Sequence, residues 1–274
     1  MEKPGVLVGE DSYVDVSDLI PDFNETFFAG GLDILRTEVQ ARRQAGQIKS
    51  LFGKRLGAPF SRPHQIICIG LNYRDHAEET GAKVPDEPII FTKSPNTLIG
   101  PNDIVLIPRN SKKTDWEVEL GVVVGRRARY VLLEQASDYI AGYVLVNDVS
   151  EREFQLERQG QWSKGKSSET FNPAGPYLVT RDEIPNPLNL SMRLELNGKV
   201  MQNSNTSQMV FDPAFIIHYL SQFMVLEPGD LINTGTPPGV GLGQKPELYL
   251  KPGDVMRLTI EGLGVAEQMV EQAV

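Results

Sequence analysis

Between residues 65 and 260 the chain alternates short apolar runs with turn-forming residues. Strands are expected at 65–70, 88–92, 103–107, 116–124, 140–148, 176–180, 191–196, 229–233 and 254–260, because each run has strand length and lies between Gly, Pro, Asn or Asp. Helical periodicity is scarce. Its clearest instance runs from Pro213 to about Phe223, with Asp212 as N-cap, Pro213 at the first helical position, and Phe215, Ile216, Tyr219, Leu220 and Phe223 on one stripe expected to be core. Near the N-terminus, residues 5–8 and 12–16 alternate around Gly9-Glu10-Asp11 and predict a hairpin, and Asp33 to about Leu56 is polar and helix-compatible. Gly57-Ala58-Pro59 with Arg62-Pro63 then reads as a linker, which predicts a small N-terminal domain over 1–62 and a main domain over 63–274. The fold class is mainly β with some α. Two Pro-Gly-Asp turns, at 228–230 and 252–254, are local turn reuse and no repeat.

Composition narrows the partners. The chain of 274 residues is 40% hydrophobic, enough for a real core, and 27 Lys+Arg against 36 Asp+Glu give a formal charge of −9. That balance disfavours nucleic acid. No stretch reaches the roughly 18 apolar residues of a membrane span and the N-terminus lacks signal-peptide character, so a cytoplasmic protein without a membrane partner is expected. Cys68, the single cysteine, sits in Ile66-Ile67-Cys68-Ile69 and reads as strand core, where a thiolate is disfavoured.

The candidate chemistry lies on two strands. In Asp115-Trp-Glu-Val-Glu-Leu-Gly-Val-Val-Val124, Glu117 and Glu119 share one face, and the strand turns apolar on both faces beyond them. Two adjacent buried carboxylates cost several kcal/mol each unless a cation compensates or one is protonated. An edge strand with its glutamates in water fits the same pattern. Asp148, closing the apolar strand Tyr143–Asp148, supplies a third carboxylate and tilts the reading towards an all-oxygen site for Mg²⁺ or Mn²⁺, with Ca²⁺ as a substitute in crystals.

Other residues have both functional and bland readings. Arg152 and Gln155, three apart after Asp148, suit holding a carboxylate and an oxyanion, or are an ordinary amphipathic turn. His76 and Glu79 are spaced so that, on a helix, the carboxylate orients an imidazole able to take a proton from water; a surface pair has the same spacing. The loop Asn233–Gly243 could present N–H groups to an anion or be a hairpin loop, and it lacks nucleotide-binding glycine spacing. His64 and His218 show no partner and default to structural or surface roles.

Taken together, Ile67-Cys-Ile-Gly-Leu-Asn-Tyr-Arg-Asp-His76, Asp115-Trp-Glu-Val-Glu-Leu120, Val146-Asn-Asp-Val-Ser-Glu-Arg152, Gly165-Lys-Ser-Ser-Glu-Thr170 and Thr234-Gly-Thr-Pro-Pro-Gly-Val-Gly241 resemble the fumarylacetoacetate hydrolase family over about 63–264. The resemblance implies a mixed β-roll, a variable N-terminal region and a homodimer. It also implies a divalent ion on Glu117, Glu119 and Asp148, water activation by His76 with Glu79, and oxyanion stabilisation by Lys166. Substrate contacts fall to Arg152, Gln155 and Thr236, with a minor substrate-side role for Lys93. Two segments depart from many members: Ser-Ser-Glu follows Lys166 where Gly-Phe-Asp is common, and Ser94 follows Lys93 where Pro is common. The implied activity is hydrolysis of a C–C bond in a 2,4-dioxo acid, an acylpyruvate or a diketo-deoxy sugar acid, through an enolate. Decarboxylation of an oxaloacetate-like acid, tautomerisation and a ureidoglycolate-lyase-like reaction are the alternatives. A non-catalytic β protein stabilised by its cation is the rival of a different class.

Overall fold

The structure, a computed structural model, describes residues 2–61, 63–81 and 83–274. Two sheets carry the main body. The larger has six strands in the order Val179–Thr180, Ile140–Asn147, Val118–Val124, Leu231–Asn233, Ile66–Gly70, Ile89–Lys93. The second has five, in the order Lys199–Asn205, Ser191–Leu196, Val255–Ile260, Gly264–Gln272, Val105–Ile107. The fold is mainly β, as the alternating pattern predicts.

Strand period fixes what each face buries. Leu120, Val122 and Val124 alternate with Glu119, Gly121 and Val123, so the first set meets Met192, Leu194, Met256, Leu258 and Val270 of the second sheet in the main core. The opposite face carries Ile66, Cys68, Val123, Val144, Val146 and Leu231 against Val14, Val16, Ile20, Phe27, Phe28, Leu35 and Phe60. The N-terminal segments therefore form a layer sharing a core with the sheet. Arg62, where a boundary is expected, lies outside the described residues. Cys68 is fully buried, and burial pushes its thiol well up, as its apolar run predicts.

The hairpin pairs Gly5–Gly9 with Ser12–Asp15. The helix expected from Asp33 to Leu56 spans Leu32–Gln44; Gly46 then takes φ 73°, and Lys49–Ser50 returns to pair with Ser12–Asp15. Pro213–Leu220 starts as predicted, with the Phe215 N–H donating to Asp212 Oδ1 at 2.8 Å. Its stripe is core at Ile216 and Leu220, but Phe223 is 64% exposed because the helix has ended by then. Two strands of the two main sheets carry no expectation. Lys199–Asn205 is polar apart from Val200 and Met201, and Gly264–Gln272 has apolar residues on both faces, so neither alternates cleanly. The signal for the first was Asn197-Gly198, with φ 52° and 78°, the hairpin turn that joins it to Ser191–Leu196.

Candidate metal centre

Pairing begins at Val118 because Thr114–Asp115 belongs to a separate ribbon with Ser150–Glu151. The chain changes ladders between them, which leaves Glu117 and Glu119 at the mouth of the six-stranded sheet. The neighbouring strand, antiparallel with Val118 opposite Asn147, delivers Asp148 to the same point. Two bonds lock the junction: the Asp148 N–H donates to Glu117 O at 2.9 Å, and the Glu117 N–H to Asn147 Oδ1 at 3.0 Å. One carboxylate oxygen from each of Glu117, Glu119 and Asp148 lies within 4.8 Å of the others, and all three residues are buried.

Cations surround this cluster unevenly. Lys166 Nζ lies 2.8 Å from Glu117 Oε2 and 2.9 Å from Asp148 Oδ2, and Arg152 Nη1 lies 2.7 Å from Glu117 Oε1. Lys93 Nζ pairs with Asp148 Oδ1 and donates to Val149 O at 3.0 Å. Burial alone would push Glu117 up, but Lys166 and Arg152 outweigh it and hold the carboxyl at about 2. Glu119 makes no ion pair among the described residues; burial, then Asp148 and Glu117, push its carboxyl well above the usual range. Burial opposes the charge on Lys166, but Asp148 and Glu117 together raise its pKa. A set of hard oxygens with one carboxylate lacking a cation fits a divalent metal ion.

Of the remaining predicted residues, Arg152 touches this cluster and Thr236 bonds the strand that carries Glu119. His76 and Glu79 lie on the helix Arg74–Thr80, as their spacing requires, with His76 Nδ1 3.1 Å from Glu79 Oε2. His76 is close enough to help lower the pKa of Glu117. Arg152 Nη1 donates to Gln155 Oε1 at 3.0 Å, so the two share a face, although the turn Glu153–Glu157 is π-helical. Thr236 is buried; its Oγ1 donates to Val118 O at 3.0 Å and accepts from Gln202 Nε2 at 2.8 Å. His64 pairs with Glu25 across an exposed surface, and His218 Nδ1 meets Val131 O at 2.7 Å, so both have structural partners.

The glycine loop does present N–H groups to carboxyl groups, and these belong to the protein itself. Gly235 donates to Glu119 at 2.8 Å, Gly239 to Glu79 at 3.0 Å, Gly241 to Asp115 Oδ1 at 2.6 Å and Leu242 to Asp115 Oδ2 at 3.0 Å. Close approach demands the glycines. A Cβ on Gly239 would sit 1.9 Å from Met201 O, and one on Gly241 1.9 Å from Leu248 O. Asp115, to which local sequence assigns no role, also accepts from Arg152 Nε at 2.8 Å, so one fully buried carboxylate fastens both the loop and the arginine. Its position beside Trp116 and Glu117 was the available signal, but its partners lie far away in sequence.

A mainly β body with an acidic cluster at the sheet mouth is a fold shared with known enzymes. The family described as fumarylacetoacetate (FAA) hydrolase C-terminal matches residues 65–271, and the chain belongs to this family. A relative from Burkholderia multivorans, whose name states a hydrolase and no substrate, is 50% identical over 277 residues, covering 99% of this chain and 96% of its own. Among solved structures, maleylpyruvate hydrolase from Sphingobium sp. SYK-6, in complex with manganese(II) and pyruvate, has a TM-score of 0.80 at 27% identity, covering 98% of this chain and 96% of that one. The 2-hydroxyhepta-2,4-diene-1,7-dioate isomerase from Mycobacterium marinum has a TM-score of 0.69 at 36% identity, covering 83% and 79%. Among the described residues no helix is long and apolar enough to cross a membrane.

Proposed function

We propose that the protein is a divalent-metal-dependent hydrolase that cleaves the C–C bond of a small 2,4-dioxo acid, of the acylpyruvate or diketo-deoxy sugar acid type. The observation that carries this reading is the convergence of Glu117, Glu119 and Asp148 beside Lys166, with His76, held by Glu79, within electrostatic reach of Glu117. The manganese and pyruvate of the Sphingobium relative support it. Glu117, Glu119 and Asp148 would hold Mg²⁺ or Mn²⁺, which when bound supplies Lewis-acid polarisation of the 2-oxo carbonyl.

The chain's own residues supply the rest. His76, oriented by Glu79, takes a proton from water as the water oxygen bonds to the distal carbonyl carbon. The bond between that carbon and the methylene then breaks, its electron pair passing into the enolate of the 2-oxo acid fragment. Lys166 and Gln155 donate hydrogen bonds to developing oxyanions, and reprotonation of the enolate carbon releases a carboxylic acid and a 2-oxo acid. Arg152, tied to Asp115, Glu117 and Gln155, orients Gln155 and adds positive charge for the substrate carboxylate, which Thr236 borders.

The test is turnover of acylpyruvates, 2,4-diketo-3-deoxy sugar acids and oxaloacetate with Mg²⁺ and again after EDTA. Metal-dependent cleavage of a dioxo acid is expected, and no metal-dependent turnover of any of them sinks the proposal. Isomerisation is the second reading, favoured by the Mycobacterium marinum relative, and proton exchange at the substrate methylene without cleavage would point to it.

A further inference from the structure

The hydrogen bonds around the trio make the two oxygens of each carboxylate unlike. On Glu117, Oε1 receives Arg152 Nη1 at 2.7 Å and Ser150 Oγ at 3.2 Å, while Oε2 faces Lys166. On Asp148, Oδ1 is taken by Lys93, while Oδ2 faces Lys166. On Glu119, Oε2 receives the Gly235 N–H at 2.8 Å. Because the single Lys166 ammonium reaches both Glu117 Oε2 and Asp148 Oδ2, these two oxygens converge on one point, and the donors that hold the opposite oxygens come from outside it.

We infer that the protein caps one oxygen of each candidate ligand so that each carboxylate can give a cation a single oxygen, and that Lys93 is the cap that makes the centre select Mg²⁺ and Mn²⁺ against Ca²⁺. This rests on the metal-dependent reading above. Ca²⁺ takes six to eight oxygens and commonly both oxygens of a carboxylate, whereas Mg²⁺ is content with one or two carboxylates and keeps several waters. Three single oxygens suit the smaller ion and starve the larger one.

Lys93 is decisive among the caps for a structural reason. The Glu119 cap is main chain, and the Glu117 cap is Arg152, which Asp115 and Gln155 also hold. Lys93 is a fully buried side chain at the end of the strand Ile89–Lys93, kept on Asp148 Oδ1 by a second bond to Val149 O at 3.0 Å. Lys166 differs, since its bonds run to oxygens on the ion side. Lys166 gives way when an ion enters and Lys93 stays.

The test is the affinity of the native protein and of Lys93→Met for Mn²⁺ and for Ca²⁺, read by titration calorimetry. Removing a positive charge raises affinity for both ions, so the ratio isolates the ligation. The native protein is expected to favour Mn²⁺, and the variant ratio to move towards Ca²⁺ by about tenfold or more; an unchanged ratio overturns the inference. Should the variant fail to fold, a crystal structure of the native protein with Ca²⁺ decides. Asp148 binding through one oxygen with Lys93 in place supports the cap, and Asp148 binding through both with Lys93 displaced overturns it. Native protein that binds neither ion defeats the metal reading and this inference together, whereas binding of both with an unmoved ratio defeats the inference alone.

Discussion

At the residue scale, the division of labour between His76 and the carboxylates can be separated experimentally. His76 lies beside the cluster on a helix of its own, so its loss leaves Glu117, Glu119 and Asp148 in place. His76→Ala is expected to lower kcat for hydrolysis of an acylpyruvate by about a hundredfold or more while sparing decarboxylation of oxaloacetate, which needs no attacking water. Parallel rate measurements on both substrates check this, and equal losses would refute the division. The carboxylate trio was legible in the sequence because charge on strands that turn apolar has few inexpensive explanations. Asp115 was not, since its partners are backbone N–H groups 126 and 127 positions away and an arginine 37 away. No local pattern announces a contact of that span. The pairing of Lys93 with Asp148 was no more legible, because Asp148 follows a strand that is not the neighbour of Ile89–Lys93 in the sheet.

At the element scale, period-two alternation located most strands of the two sheets to within a few residues. It failed where burial is one-sided and polar, as in Lys199–Asn205, whose one fully buried side chain is Gln202. That glutamine bonds the Val118 N–H at 2.9 Å and Thr236 at 2.8 Å, so a polar residue performs the packing task that sequence patterns assign to apolar ones. Helical spacing correctly joined Arg152 to Gln155, yet the π-helical turn that holds them depends on a neighbour. Gly165, on the short helix Trp162–Lys166, packs so closely that a Cβ would lie 2.4 Å from Glu151 O and 2.6 Å from Gln155 N. Main-chain atoms on both sides cannot yield cheaply. Gly165→Ala is therefore expected to cost about 1–3 kcal/mol in urea unfolding and to depress kcat through displaced Gln155 and Lys166. Native stability and kcat in this variant would contradict the packing argument.

At the scale of the whole molecule, the main core has a titratable group with a clear sign. Burial pushes Tyr143 up to about 12 from its usual 10.0, so the folded state favours the neutral phenol. Its contribution is fully present below pH 10 and is lost as pH rises towards 12, on the order of 2 kcal/mol. Denaturant melts across that range should show the decline in the native protein and a shallower one in Tyr143→Phe; identical curves would exclude Tyr143 as the source. The homodimer implied by the resemblance also belongs here. Exposed Tyr130, Leu132 and Phe223 lie in segments joined by the Tyr130 N–H donating to Ser221 O at 2.9 Å. Light scattering is expected to give twice the chain mass of 30.4 kDa, and a monomer at all concentrations would refute the dimer.

The ammonium groups of Lys93 and Lys166 have a consequence for how the protein matures. With Arg152 they set three positive charges against Asp115, Glu117 and Asp148, so the chain itself carries the counterions of every carboxylate in this group but Glu119. Folding then need not wait for an ion, and a freshly synthesised chain can reach its final shape in a metal-starved cell and be charged afterwards. Chelation should accordingly abolish turnover reversibly while moving the thermal midpoint by only a few degrees, as scanning calorimetry with and without EDTA would show. A collapse of the midpoint would mean that the ion is needed to build the protein. On the expected result, metal supply sets how much of the protein works and leaves how much of it accumulates unchanged.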